Sequence, residues 1–398
     1  MTTASGSARQ GNGLRPVSIL GVGSTPFGRL EGQDITKLAV DACRDAIADS
    51  GVDQSSIQAI YLGNFAGERL AGQGSLAAVV AGRLGLEGIP ATKVEGACAS
   101  GGLALREGFL TVALGLYDFV LVTGVEKMSA MPIGEITAAL STAGDEESEM
   151  RTGLTFPGAF AMVMEAHMEK YGTTREQIAQ VSIKNHQNGL NNPKAQFRRA
   201  TDLEEVVNSR FIAEPIRLFD CPPISDGAAA AILCPTEMAG DFAGKPVRIL
   251  GSGHATGPSA LTGMRDLTSF SASVKAAQAA YEMAGLSPSD IDVAEVHDCF
   301  TVAEIVATED LGFFPKGEGG PAVQSGETAL DGSLPVNPSG GLIAKGHPVG
   351  ATGLAQIYDL TVQIRGNAVN QITNPEAALA HNLGGADAVA TVHILGRS

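Results

Sequence analysis

The chain has 398 residues, 44% of them apolar and 18% charged, with 50 glycines and no tryptophan. Its net charge of −16 repels phosphate backbones, which excludes nucleic acid as a partner. Cys43, Cys98, Cys221, Cys234 and Cys299 are odd in number and form no C-x-x-C pair, which argues against a disulfide framework and for a reducing compartment. No apolar run reaches transmembrane length, residues 1–16 lack a signal-peptide core, and the C-terminal LGRS is no peroxisomal address. A cytoplasmic protein without a membrane partner is expected.

Residues 1–16 read as a flexible tail. VSIL at 17–20 then reads as a buried strand running into GVGSTPFG, followed by the amphipathic helix ITKLAVDACRDAIADSG and a strand from Ile57. VEGACASGGLALREG around Cys98 reads as a strand breaking into a small-residue turn and a helix, with FVLVTG at 119–124 as the next strand. Residues 128–205 break the pattern with an acidic run (Asp145–Glu149) and a stretch free of acidic residues (184–199), and they read as an inserted lid. PISDGAAAAILCP at 223–235 resumes the first half.

The sequence then repeats itself. VRIL at 247–250 runs into GSGHATG, with the helix SVKAAQAAYEMAG and the strand IDVAEVHDCF from Ile291 after it. Gly51 falls on Gly285 and Ile57 on Ile291 at one spacing. SGGLA at 100–104 resembles ATGLA at 351–355, each opening a helix, and FVLVTG is paired with AVATVHIL at 388–395. A duplicated α/β unit predicts four segments: the tail, a first half over 17–127 plus 206–240, a lid over 128–205, and a second half over 241–398. Duplication also puts the turns before the two matching helices in equivalent places, at the sheet ends where open α/β folds bind ligands.

Cys98 is a candidate nucleophile because a thiol at a helix N-terminus faces free N–H groups that lower its pKa. Alone it would read as a small buried hydrophobe; its partners change that. His347, between Gly346 and Pro348, is aimed by rigid backbone and suits the role of base for the thiol. His297 and Cys299 end an apolar strand, where His297 could polarise a carbonyl or position a water and Cys299 could exchange protons. A metal on His297 and Cys299 lacks further ligands, so no metal is expected. GVGSTPFG and GSGHATG lack G-x-G-x-x-G spacing, so NAD binding is rejected. Cys43, Cys221 and Cys234 read as packing thiols, and His167, His186, His254 and His393 receive no role.

These residues carry a resemblance. C-A-S at 98–100, H-D-C-F at 297–300 and G-H-P at 346–348, with KNHQNGLNNPKAQF (184–197) and HNLGG (381–385), resemble the thiolase superfamily and its sterol-carrier-protein type. The resemblance implies a five-layered αβαβα fold with an inserted loop domain. It also implies acyl transfer to and from coenzyme A, in either direction between condensation and thiolysis, by an acetyl-CoA acetyltransferase or 3-oxoacyl-CoA thiolase. Cys98 would hold the acyl group, His347 would activate it, and His347 with a water on His297 would stabilise the enolate oxygen. The N–H groups of Cys98 and Gly384 would form the oxyanion hole. Asn382 stands where most thiolases carry a second cysteine, and Cys299 is the substitute acid/base.

Lys184, Lys194, Arg198 and Arg199 are either a landing site for CoA phosphates or a solvated surface run. Coenzyme A thioesters are expected as substrates, with no resident cofactor. The implied assembly is a homodimer or homotetramer. Two other readings stay open: a carbon–carbon lyase for a bulky acyl-CoA with a small OB-fold partner, and a non-catalytic acyl-CoA-binding scaffold.

Overall fold

The computed structural model describes residues 13–242 and 245–397. Most of the expected tail lies outside the described residues. Within it, Arg15 is anchored to the Val112 carbonyl at 2.9 Å and to Asp118 at 2.9 Å. Among the described residues no helix is long and apolar enough to cross a membrane.

The strands are β1 (Val17–Ser24), β2 (Ala59–Gly63), β3 (Ala91–Val94), β4 (Val120–Glu126), β5 (Phe211–Ala213), β6 (Ile216–Arg217), β7 (Gly227–Pro235), β8 (Val247–Thr256), β9 (Val293–Glu295), β10 (Ala377–Gly384) and β11 (Val389–Arg397). Nine of them form one sheet, in the order β3-β2-β4-β7-β1-β8-β11-β10-β9, with β5 and β6 apart as a small hairpin. The sheets of the two halves join where Val17–Ile19 of β1 pairs antiparallel with Val247–Ile249 of β8.

The order reads as the same four strands from the joint outwards: β1, β7, β4, β2 on one side and β8, β11, β10, β9 on the other. This corrects the predicted repeat. Residues 120–124 of the first segment lie in β4, whose counterpart is β10, and Val389–Arg397 matches β7. The difference has a local cause: β10 carries the polar residues His381 and Asn382, which do not look like strand, yet all eight of its residues are buried. The counterpart of β3 has shrunk to a single parallel bridge between Ala294 and Val336.

Both half-sheets direct apolar side chains at one pair of helices, Ser100–Ala113 and Thr352–Arg365. Leu105, Phe109 and Val112 of the first pack with Leu354, Ile357 and Leu360 of the second, and with Val122, Leu233, Ile249 and Leu395 of the strands. Helices Ile35–Ser50 and Leu76–Leu84 cover the far face of the first half, and Ser271–Ala284 and Thr301–Asp310 that of the second. The five layers are thus helix, sheet, helix, sheet, helix.

The insertion is less a lid than part of the second half's core. Phe160, Val163, Met164, Ile178 and Val181, from helices Phe156–Tyr171 and Arg175–Gly189, are buried against Phe270, Phe300 and Val302. It also runs further than expected. The β5–β6 hairpin follows position 206, and the first half resumes only at β7.

Glycine sets how closely the central helices approach. A Cβ on Gly353 would lie 2.3 Å from the backbone nitrogen of Gly102, and one on Gly101 would lie 2.9 Å from the Gly350 carbonyl oxygen. The two helix N-termini therefore touch, and the turns before them meet.

Candidate active site

Cys98 stands in the tight turn Ala97–Ala99 immediately before the first central helix. Ala97 is left-handed, at φ 51°, a conformation costing an L-residue about 1–2 kcal/mol. Local bonds hold it there. Glu95 accepts from the Ala97 N–H at 2.6 Å, and the Ser100 hydroxyl accepts from the Gly96 N–H at 3.0 Å while donating to the Ala97 carbonyl at 2.6 Å.

His347 follows a single wide π-turn, Gly341–Lys345, and Gly346 at φ 117°, a backbone form often found at functional sites. Its N–H donates to Ser225 Oγ at 3.0 Å, and its Nδ1 lies 2.7 Å from Thr352 Oγ1. Asp298 straps this turn to the His297 loop. It accepts from the N–H groups of Leu342 (2.7 Å) and Ile343 (3.2 Å), and from the Asn185 amide at 2.8 Å.

These turns bring the Cys98 sulfur and one ring nitrogen each of His297 and His347 within 4.8 Å of one another. The two imidazoles cross at 81° with centroids 5.0 Å apart. Asn382, at the end of β10, donates to the Cys98 carbonyl and to His297 Nδ1, both at 3.0 Å. A metal ion would find ligand spacing here. Cys299, the ligand weighed from the sequence, is outside the set.

One wall is apolar. Cys98 packs against a cluster of Ala66, Leu70, Met128, Ile136, Ala139 and Val349, edged by Phe65 and Met131. Another residue had no visible signal in the sequence beyond being a carboxylate at the end of an apolar strand. Glu126 is fully buried and accepts from the N–H groups of Phe65 (3.0 Å), Ala66 (3.1 Å) and Gly350 (3.1 Å) and from the Asn64 amide (2.9 Å). It ties the loop after β2 to the turn carrying His347.

The predicted basic site does not assemble. Lys184 turns inward to Glu304 at 3.0 Å and to the Val336 carbonyl at 2.7 Å. Lys194 is held by the Ser24 carbonyl, and Arg199 pairs with Glu205 at 2.6 Å. Arg198 is exposed and makes no ion pair among the described residues.

Residues 17–237 match the thiolase N-terminal domain and residues 253–397 the thiolase C-terminal domain-like family. The chain belongs to the thiolase family. It is 48% identical over 385 residues to the acetyl-CoA acetyltransferase of Methanothermobacter thermautotrophicus, covering 96% of this thiolase and 100% of that protein. It is 39% identical over 396 residues to sterol carrier protein 2 of Bos taurus, covering 96% of this chain and 72% of the bovine one. Among solved structures, the Ltp2-ChsH2(DUF35) aldolase superposes with a TM-score of 0.85 at 27% identity, covering 96% of this chain and 98% of that one.

The electrostatics of the thiolase site reverse one expectation. The helix N-terminus does not make Cys98 a resting thiolate. Burial, reinforced by the charge of Glu126, pushes the thiol up to about 12, against the opposing N–H groups of Gly385 and of Cys98 itself. The donor facing the sulfur is thus Gly385, one residue beyond Gly384. Burial likewise lowers His347 to about 3 and His297 well below the ordinary range. Burial first, then the nearby Cys98 and Asp298, raises Cys299. Burial thus favours the uncharged thiols and imidazoles, and a thiolate forms as its proton is handed over.

A test of this dryness follows. The unfolded chain protonates His347 near 6.5, while the folded protein does so only near 3. Its contribution is therefore present above pH 6.5 and is lost as pH falls. Relative to His347→Gln, wild type should lose about 2 kcal/mol of stability between pH 6.5 and 5. Urea unfolding of both proteins at the two pH values measures this, and a constant gap would mean the ring is solvated.

Proposed function

We infer that this thiolase is an acyltransferase that makes or cleaves short 3-oxoacyl-CoA thioesters through an acyl-Cys98 intermediate. The observation carrying this reading is the approach of Cys98, His297 and His347 within 4.8 Å, from turns belonging to opposite halves. In the cleavage direction, His347 takes the Sγ proton as Cys98 attacks the 3-keto carbon of the substrate. The tetrahedral oxyanion forms against backbone N–H groups of Cys98 and of Gly384 or Gly385, and such donors are worth about 3–4 kcal/mol each.

The Cα–Cβ bond then breaks, and the departing acetyl-CoA enolate takes a proton from the Cys299 thiol. Free CoA next attacks the Cys98 thioester as its thiol proton passes to the Cys299 thiolate; acyl-CoA leaves, and the released Cys98 sulfur takes back the proton held by His347. Condensation is the same sequence reversed. Cys299, held as a thiol, rests in the form that the cleavage direction uses.

Support for a short acyl group comes from the apolar wall of Leu70, Met128, Ile136 and Val349 packed against Cys98, and from the similar acetyltransferase. Support for a protein partner comes from the similar aldolase, whose description pairs it with a DUF35 protein. A homo-oligomer and a cytoplasmic location belong to the same proposal.

Thiolysis of acetoacetyl-CoA against longer 3-oxoacyl-CoA, with Cys299→Ala alongside wild type, tests the assignment. Short substrates should be preferred. The variant should still acylate Cys98 on mixing with acetyl-CoA, yet lose about 10²–10⁴-fold in thiolysis. Undiminished thiolysis would remove Cys299 from the mechanism.

A further inference from the structure

Two neutral imidazoles face one thiol, and composition alone cannot say which is the base. The hydrogen bonds break that tie. Asn382 is fully buried, and two of its three partners have only one possible role. The Gly102 N–H can only donate, and it meets Asn382 Oδ1 at 3.3 Å; the Cys98 carbonyl can only accept, and it meets Nδ2 at 3.0 Å. The amide orientation is thereby assigned. Its second Nδ2 hydrogen then points at His297 Nδ1, 3.0 Å away, which must accept it. The proton of His297 is left on Nε2.

For His347 the partner is the Thr352 hydroxyl, 2.7 Å from Nδ1, which serves as donor or acceptor and so does not lock one tautomer, as a group that takes up and returns a proton requires. The space that the amide occupies is reserved for it, since a Cβ on Gly353 would lie 2.3 Å from Asn382 Oδ1.

We propose that Asn382 is a positioning residue that locks His297 as the Nε2–H tautomer, making it a hydrogen-bond donor to the substrate oxygen or its bound water and leaving His347 as the base for the Cys98 thiol. In most thiolases a cysteine occupies this place; here the place serves orientation, while proton exchange falls to Cys299. The functional part of this proposal rests on the thiolase reading; the tautomer itself does not.

The direct test is ¹⁵N NMR of histidine-labelled wild-type protein, with His297 assigned by comparison with His297→Ala. The expected pattern is an unprotonated Nδ1 and a protonated Nε2; an Nδ1–H pattern would overturn the proposal. The functional arm uses Asn382→Leu, which keeps the shape and removes the amide. Its His297 signal should become a mixture of tautomers. Its condensation kcat should fall by about 10–100-fold, while acylation of Cys98 by acetyl-CoA continues.

In a His297→Ala background the same substitution should change kcat by no more than about twofold. An equal loss in both backgrounds would make Asn382 structural only and sink the proposal. Failure of wild type to acylate would instead count against the thiolase mechanism, with the NMR result still deciding the tautomer.

Discussion

Replacing Cys98 with alanine is expected to abolish turnover, on the order of a 10⁶-fold loss, because the covalent intermediate has no other attachment point. Intact-mass spectrometry after mixing with acetyl-CoA should show one added acetyl group on wild type and none on Cys98→Ala. An unmodified wild type, or an alanine variant modified equally, would refute the acyl-enzyme. The site's dryness sharpens the expectation. With the thiol pushed up to about 12 and no resting thiolate, alkylation of Cys98 by iodoacetamide should be slow at neutral pH, while acylation by a bound thioester is fast. The difference is the proton transfer to His347 that a bound substrate completes.

The second large effect is expected from Gly353→Ala, at a residue that has no part in the chemistry itself. The new Cβ would lie 2.3 Å from the Gly102 backbone nitrogen and 2.3 Å from Asn382 Oδ1. Backbone cannot rotate aside as a side chain can, so the helix N-termini must separate. We expect a loss of about 3 kcal/mol in urea unfolding, together with a severe fall in kcat as Cys98 and His347 move apart. Gly82→Ala is the control. Gly82 lies inside an exposed helix face, with nothing within 4 Å of its Cβ position, and alanine should raise stability by about 0.5–1 kcal/mol. If Gly353→Ala unfolds like wild type and stays active, the contact between the central helices is wrong.

Much of the site was legible in the sequence because its chemistry sits in short, rigid segments. Cys98 among small residues and His347 between Gly346 and Pro348 announce themselves locally, and the repeat of Gly51 at Gly285 points to the duplication that joins them. Both glycines indeed close their helices in left-handed form, at φ 70° and 68°. What escaped depends on surroundings. Strand β10 hides its identity in the polar residues His381, which bonds Ser273 of the covering helix, and Asn382, which faces the site, and this hides the second half's strand pairing. Lys184 reads as part of a phosphate landing site or of a solvated run, yet its helix turns it inward to Glu304. Glu126 gives no sign in sequence that four donors from two distant loops converge on it.

The sequence by itself determined which reactive groups exist and that they stand at equivalent turns of a doubled fold, because turn geometry is set by neighbouring glycines and prolines. Only the tertiary structure decided their protonation. Desolvation depends on everything packed around an atom, and here it outweighs the local pull of a helix N-terminus on Cys98. The same packing set the orientation of the Asn382 amide, and through it the side of the His297 ring that carries the proton.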